Sequence, residues 1–163
     1  MELPDRIDTD RLSLQVLTVD DARALTGGTR RASWHDEYPR DDDLDAASMV
    51  AASRTASSWG PRQIVTTADG LVVGTIGFVG RPEAVAGIPE AEVGYGLVPS
   101  ARSGGLATEA LAAIVAAAER VSVAVRATVA ADNAASRRVL DKCGFTLAGT
   151  SDDGQLVMRR AAR

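Results

Sequence analysis

One cysteine, one histidine and one lysine are all that this chain of 163 residues contains of those three types. Each scarcity closes off a class of function. A lone cysteine, Cys143, excludes an internal disulfide and fits a reducing compartment, so a cytoplasmic protein is expected. With His35 the only histidine, no Cys/His cluster can hold a metal, and none is expected. No apolar run is long enough to cross a bilayer, and Met1–Asp5 lacks the basic-then-apolar order of a signal peptide, so no membrane partner is expected. A net charge of −4 removes a general attraction for nucleic acid. Lys142 is the only lysine and every other basic side chain is arginine, a bias of composition and not a function.

What is present suits one domain over residues 1–163, long enough to bury a core without staples. Leu12, Leu14 and Val16 alternate with polar neighbours and predict a half-buried strand. Thr18-Val19-Asp20-Asp21 has the form of a capping box opening a short helix, which Gly27-Gly28 ends. Residues 29–43 show no period and are expected to be loop; 44–59 predict an alanine-rich helix stopped by Gly60-Pro61. Residues 62–67 and 71–79 predict a hairpin around Ala68-Asp69-Gly70, followed by a loop over 80–89 and a strand over 91–97. A helix over 108–120, a valine-rich strand over 121–129, a helix over 133–143 and a closing hairpin of 145–150 with 155–160 complete an α+β (α/β) mixed sheet.

The most informative stretch is Leu97-Val98-Pro99-Ser100-Ala101-Arg102-Ser103-Gly104-Gly105-Leu106-Ala107-Thr108-Glu109-Ala110, a strand-turn-helix passage with Arg-x-x-Gly-x-Ala at its centre. Such a turn leaves backbone N–H groups free at a helix N-terminus, where the helix dipole favours a phosphate-bearing ligand. It is neither a Walker loop nor a full Gly-x-Gly-x-x-Gly fingerprint, and a plain helix-capping turn would read the same way. A second stretch, Ala130-Ala131-Asp132-Asn133-Ala134-Ala135-Ser136-Arg137-Arg138-Val139-Leu140-Asp141-Lys142-Cys143-Gly144-Phe145, separates these readings. Together the two resemble the GNAT superfamily of N-acetyltransferases, and within it the branch containing the ribosomal-protein N-terminal acetyltransferases. Thr9-Asp10-Arg11-Leu12-Ser13-Leu14-Gln15-Val16-Leu17 is similar to that branch's first strand, and Glu92-Val93-Gly94-Tyr95-Gly96-Leu97 to its fourth.

The resemblance implies a mostly antiparallel central sheet with flanking helices and a splay between the fourth and fifth strands. It implies acetyl-CoA as co-substrate, with Arg102, Ser103, Gly104, Gly105, Ala107 and Thr108 around the pyrophosphate. The pantetheine arm would pair with backbone at Leu97 and Val98 like an added strand. The family often has glycine where this chain has Ser103, a mild departure because backbone N–H groups do the binding.

Acetyl transfer to an amine needs a base, stabilisation of the carbonyl oxygen and a departing thiolate. Alternation puts Glu92, Gly94 and Gly96 on one strand face, and the glycines leave open space beside the carboxylate. Glu92 is the candidate base, a role the resemblance also implies; a solvated strand glutamate is the bland alternative. Asn133 and Ser136 share one side of a helix start, where either can simply cap it. The resemblance gives Asn133 to the pantetheine and Ser136 to the thioester sulfur. Leu140 stands where many members carry a tyrosine acid. Cys143 is expected in the core. Trp34, His35 and Tyr38 lie where the family builds its acceptor pocket, and His35 is either a solvated loop residue or a substrate contact. Asp41-Asp42-Asp43-Leu44-Asp45 reads as a solvated helix start, with attraction for a cationic acceptor as the sharper alternative.

The expectation is thus a direct N-acetyltransferase acting on a primary amine, either a protein N-terminus or a small molecule. Dimers are frequent in the family, which suggests a homodimer by analogy. The alternatives are a non-catalytic acyl-CoA-binding or sensing module, which would keep the turn and lose the base, and a nucleotide-binding domain of another family.

Overall fold

The computed structural model describes residues 1–162. Among the described residues nine strands form one sheet, interrupted by four α-helices. The chain begins with β1 (Arg6–Asp8) and β2 (Leu12–Val16), then α1 (Val19–Thr26) and α2 (Asp41–Ser53). Three antiparallel neighbours follow: β3 (Pro61–Thr66), β4 (Val72–Phe78) and, after the short β5 (Glu83–Val85), the long β6 (Ile88–Leu97). Then come α3 (Leu106–Glu119), β7 (Ala124–Val129), α4 (Ala134–Lys142), β8 (Thr146–Thr150) and β9 (Leu156–Arg160). The main path across the sheet is β1-β2-β3-β4-β6-β7-β9-β8, with β5 paired to β6.

Among the described residues every pairing of named strands is antiparallel except β6 with β7, and that one is short; an isolated parallel bridge also joins Trp34 to Val72. Only Glu90, Ala91 and Glu92 pair with Ala124, Val125 and Arg126. Beyond Glu92 the strands diverge, which is the expected splay, here between the sixth and seventh strands because of two short additions. β1 and β5 have three residues each, too few to carry an alternation that sequence can reveal.

The helices follow their local chemistry. Thr18 caps α1 by accepting the Asp21 N–H, as the sequence predicts. α3 turns Leu111, Ile114, Val115 and Ala118 onto the sheet, all at most 1% exposed. α2 departs from the sequence expectation at both ends. It starts at Asp41 because the Arg40 N–H donates to the Asp43 carboxylate at 2.8 Å. It stops at Ser53 because Arg54 takes a left-handed conformation, φ 56°. Residues 54–59 therefore turn back, and Trp59 packs on Phe78 with ring centroids 5.0 Å apart.

Candidate active site

The connection from β6 to α3 has the character the sequence predicts. Pro99–Ala101 form one 3-10 turn, Ser103 and Gly105 take positive φ angles of 66° and 83°, and α3 begins at Leu106. The first backbone N–H to find an acceptor within the helix end is that of Glu109, which donates to the Gly105 carbonyl. Among the described residues the N–H groups from Ser103 to Thr108 have no backbone acceptor, so a crown of donors is left free around the positive end of α3. Gly105 needs its missing side chain for that turn, whereas Ser103 adopts the left-handed backbone with one.

The loop is anchored by contacts that sequence reasoning missed. Glu109, in the first turn of α3, accepts from Thr9 Oγ1 at 2.6 Å, from the Arg11 N–H at 2.8 Å and from Arg11 Nε at 2.7 Å. Arg11 Nη1 reaches on to the Gly104 carbonyl at 2.9 Å. Burial acts to raise the pKa of the Glu109 carboxyl, but the bonds from Thr9 and Arg11 outweigh it and hold the group below the ordinary carboxylate value. Arg102 folds back, its Nε donating to the Leu97 carbonyl at 2.9 Å.

The splay creates the second part of the site. The Val98 N–H donates to Val73 and Val79 donates to Glu92, so Glu92, Gly94, Gly96 and Val98 face β4 with their backbone groups. The backbone edges of Val93, Tyr95 and Leu97 therefore point toward the departed β7. Of the two backbone positions expected to meet the pantetheine, Leu97 turns its edge toward the gap but its carbonyl is taken by Arg102 Nε, and the Val98 N–H is committed to the sheet. A cavity of about 210 Å³ fills the gap, lined by Val93, Tyr95, Thr128, Asn133, Ser136 and Leu140 among others.

Asn133 caps α4, its Oδ1 accepting the Ser136 N–H at 3.1 Å. Ser136 also meets a partner unforeseen from sequence, the Tyr95 hydroxyl, 2.8 Å from its Oγ. Strand alternation, which sets Tyr95 on the face opposite Glu92, was the available signal. Burial pushes the Tyr95 phenol above its ordinary pKa, against the lowering effect of the Ser136 bond, so it stays protonated at neutral pH. Cys143 is 3% exposed, with burial pushing its thiol up, and belongs to the core as expected.

On the other sheet face a cleft of about 490 Å³ lies between α2 and a floor that includes Gly77, Gly94 and Gly96. Gly94 and Tyr95 line both cavities. Glu92 is on the cleft side by alternation, beyond the lining residues. One carboxylate oxygen accepts from Thr128 Oγ1 at 3.0 Å and the other pairs with Arg126 Nη2 at 3.0 Å. Trp34, His35 and Tyr38 do not line this cleft. Trp34 and Tyr38 are 4% and 1% exposed and pack edge to face, and burial raises the Tyr38 phenol to about 12. His35 lies instead at the mouth of the loop, Nδ1 accepting the Glu37 N–H at 3.1 Å and Nε2 3.3 Å from Ser100 Oγ. The acidic run is not uniformly solvated either: Asp43 is 1% exposed and locked to Arg40.

A family model described as an acetyltransferase (GNAT) domain matches residues 11–146. The chain belongs to the GNAT acetyltransferase family. Solved GNAT structures share its fold at low identity. RimJ of Mycobacterium smegmatis, in complex with CoA-disulfide, superposes with a TM-score of 0.71 at 24% identity, covering 99% of this chain and 90% of that one. The ribosomal-protein-S5-alanine acetyltransferase of Vibrio fischeri gives 0.66 at 14%, covering 96% of each. The microcin C7 self-immunity acetyltransferase MccE, in complex with acetyl-CoA and AMP, gives 0.63 at 17%, covering 94% and 93%. No curated protein matches the chain at a significant level.

Proposed function

We propose that this GNAT protein transfers an acetyl group from acetyl-CoA directly to a primary amine. One observation carries the reading: Gly94 and Tyr95 line both the gap behind β6 and the cleft in front of it. A donor threaded from the loop into the gap and an amine resting in the cleft would approach each other there, on opposite faces of one strand.

The residues fit a CoA thioester. The free N–H crown of 103–108 suits a pyrophosphate. The open edges of Val93 and Tyr95 suit an extended amide-bearing arm, while the Leu97 carbonyl is already taken by Arg102 Nε. The acetyl thioester, when bound, supplies the electrophile.

The protein's own groups handle the protons. Glu92 accepts the proton from the incoming ammonium, directly or through water, while Arg126 and Thr128 orient its carboxylate. The N–H groups on the open edge of β6 face the carbonyl oxygen as it gains charge. At the sulfur, the hydroxyls of Tyr95 and Ser136 lie 2.8 Å apart and either can be the donor, while the Tyr95 hydroxyl also reaches the Ser136 carbonyl at 3.3 Å, so this pair holds a hydroxyl proton for the departing thiolate. Tyr95 thereby compensates for Leu140 at the position where the resembled family often has a tyrosine. A thiol of pKa about 8.5 needs little such help, so this donor adjusts the rate without being indispensable.

The test is acetylation of an amine panel by the purified protein, followed through thiol release. Glu92→Gln is expected to slow transfer about a hundredfold with acetyl-CoA affinity unchanged. Acetyl-CoA binding without transfer to any amine would favour the non-catalytic sensing module; transfer unaffected by Glu92→Gln would remove Glu92 from the chemistry.

A further inference from the structure

We infer, building on the transferase reading, that the acceptor is a peptide N-terminus whose first side chain is apolar, held in the cleft beside α2 with its first carbonyl on Arg40. The cleft wall contributed by α2 includes Asp42, Ala46, Met49 and Ser53, spaced to line one helix face over about 16 Å. That length accommodates about five residues of extended chain, more than a single small amine requires. Opposite stand Phe78 and Val79. Met49 and Val79, on the two walls, are 58% and 61% exposed, and because both line the same cleft they offer one apolar surface on which an apolar side chain can be covered. Gly94 has nothing within 4 Å of where a Cβ would stand, so the amine has room beside a residue that lines both cavities.

Charge argues against a polycation. The lining carries Arg40 and Arg81 against Asp42 and Asp43 and is neutral in sum. Asp43 is already spent, accepting from Arg40 through the backbone N–H, Nε and Nη2 at 2.8 to 3.0 Å. The remaining guanidinium nitrogen, Nη1, has no partner among the described residues and lies over Gly96, where any Cβ would collide with it. An Arg–Asp pair that is neutral overall with one guanidinium nitrogen open suits a neutral carbonyl oxygen. A polyamine or aminoglycoside would find only Asp42 with a carboxylate to spare.

The experiment compares five-residue peptide amides differing only in the first residue, Leu, Met or Phe against Ser, Asp or Lys, alongside free leucine and spermidine, each with acetyl-CoA. Peptides beginning with Leu, Met or Phe are expected to exceed those beginning with Asp or Lys by at least about tenfold in kcat/KM. Met49→Asp and Val79→Asp, at exposed positions that do not threaten folding, are expected to reduce that preference to below about threefold through KM, with acetyl-CoA affinity unchanged. A flat dependence on the first residue, or preference for spermidine or free leucine, overturns this inference and leaves the transferase reading standing. Acetyl-CoA binding with no acceptor used at all overturns both.

Discussion

Removing Glu109 should loosen the β6–α3 loop, which we propose receives the acetyl donor. The carboxylate joins α3 to the β1–β2 turn through three donors, and through Arg11 it holds the Gly104 carbonyl. The Thr9 bond, part-buried at 2.6 Å and made to a charged acceptor, contributes about 1.5 kcal/mol. Arg11 is 53% exposed against 19% for Glu109, so water replaces much of what its two donors give, and that pair adds about 0.5 kcal/mol. Glu109→Ala should therefore cost about 2 kcal/mol, or on the order of 4–8 °C in Tm for a chain of this size. Because Arg11 then releases Gly104, acetyl-CoA affinity should fall by about tenfold, some 1.4 kcal/mol. The effect has a pH signature. The folded pKa of Glu109 is depressed, so its stabilisation is complete above the unfolded value and is lost as pH falls through the folded one. The stability gap between wild type and Glu109→Gln should thus be full at neutral pH and shrink in acid. Urea unfolding across pH, with calorimetry of acetyl-CoA binding, measures both effects. A destabilised Glu109→Ala that binds acetyl-CoA as tightly as wild type would refute the anchoring argument; an unchanged unfolding midpoint would refute the energetics.

Asp43→Ala strands the Arg40 guanidinium, which is only 18% exposed, and should cost about 3 kcal/mol in urea unfolding; Arg40→Met added to it should restore much of that, and a double variant no more stable than the single would contradict this account. Gly105→Ala forces a side chain into φ 83° and should lose about 1–2 kcal/mol, visible as a lower Tm, whereas Ser103→Gly should leave Tm nearly unchanged because relief at φ 66° is offset by the freer unfolded chain. Tyr95→Phe should lower kcat by up to about tenfold with little change in acetyl-CoA affinity. Since burial keeps that phenol protonated, the deficit should be constant from about pH 6 to pH 9, and a deficit that appears only at alkaline pH would argue for a tyrosinate instead.

Two classes of feature were legible in the residues alone. The first is local periodicity and punctuation: the Leu12-Leu14-Val16 alternation, the Thr18 cap, the apolar stripe of α3 and the glycine turn all depend on neighbours within a few residues. Their spacing and order sufficed for the mixed sheet and the GNAT resemblance. The second is the face of a strand, which follows from a period of two and correctly separated Gly94 and Gly96 from Tyr95.

Contacts between distant segments were not legible, because nothing in the spacing of one segment encodes the position of another. Tertiary structure decided that Glu109 is held by Thr9 and Arg11, about a hundred positions away, and that Tyr95 meets Ser136. It ended α2 at Ser53 through one left-handed residue and sent Trp59 into the core beside Phe78. It buried Asp43 in a run of acids that composition alone makes a solvated helix start, because Arg40 was there to pair with it over a glycine floor. The sequence by itself determined most of the elements and the glycine turn before α3, since those depend on short-range geometry, but not β1, β5 or the ends of α2. The two cavities that Gly94 and Tyr95 both line were decided only when β6 and β7 paired for three residues and then parted.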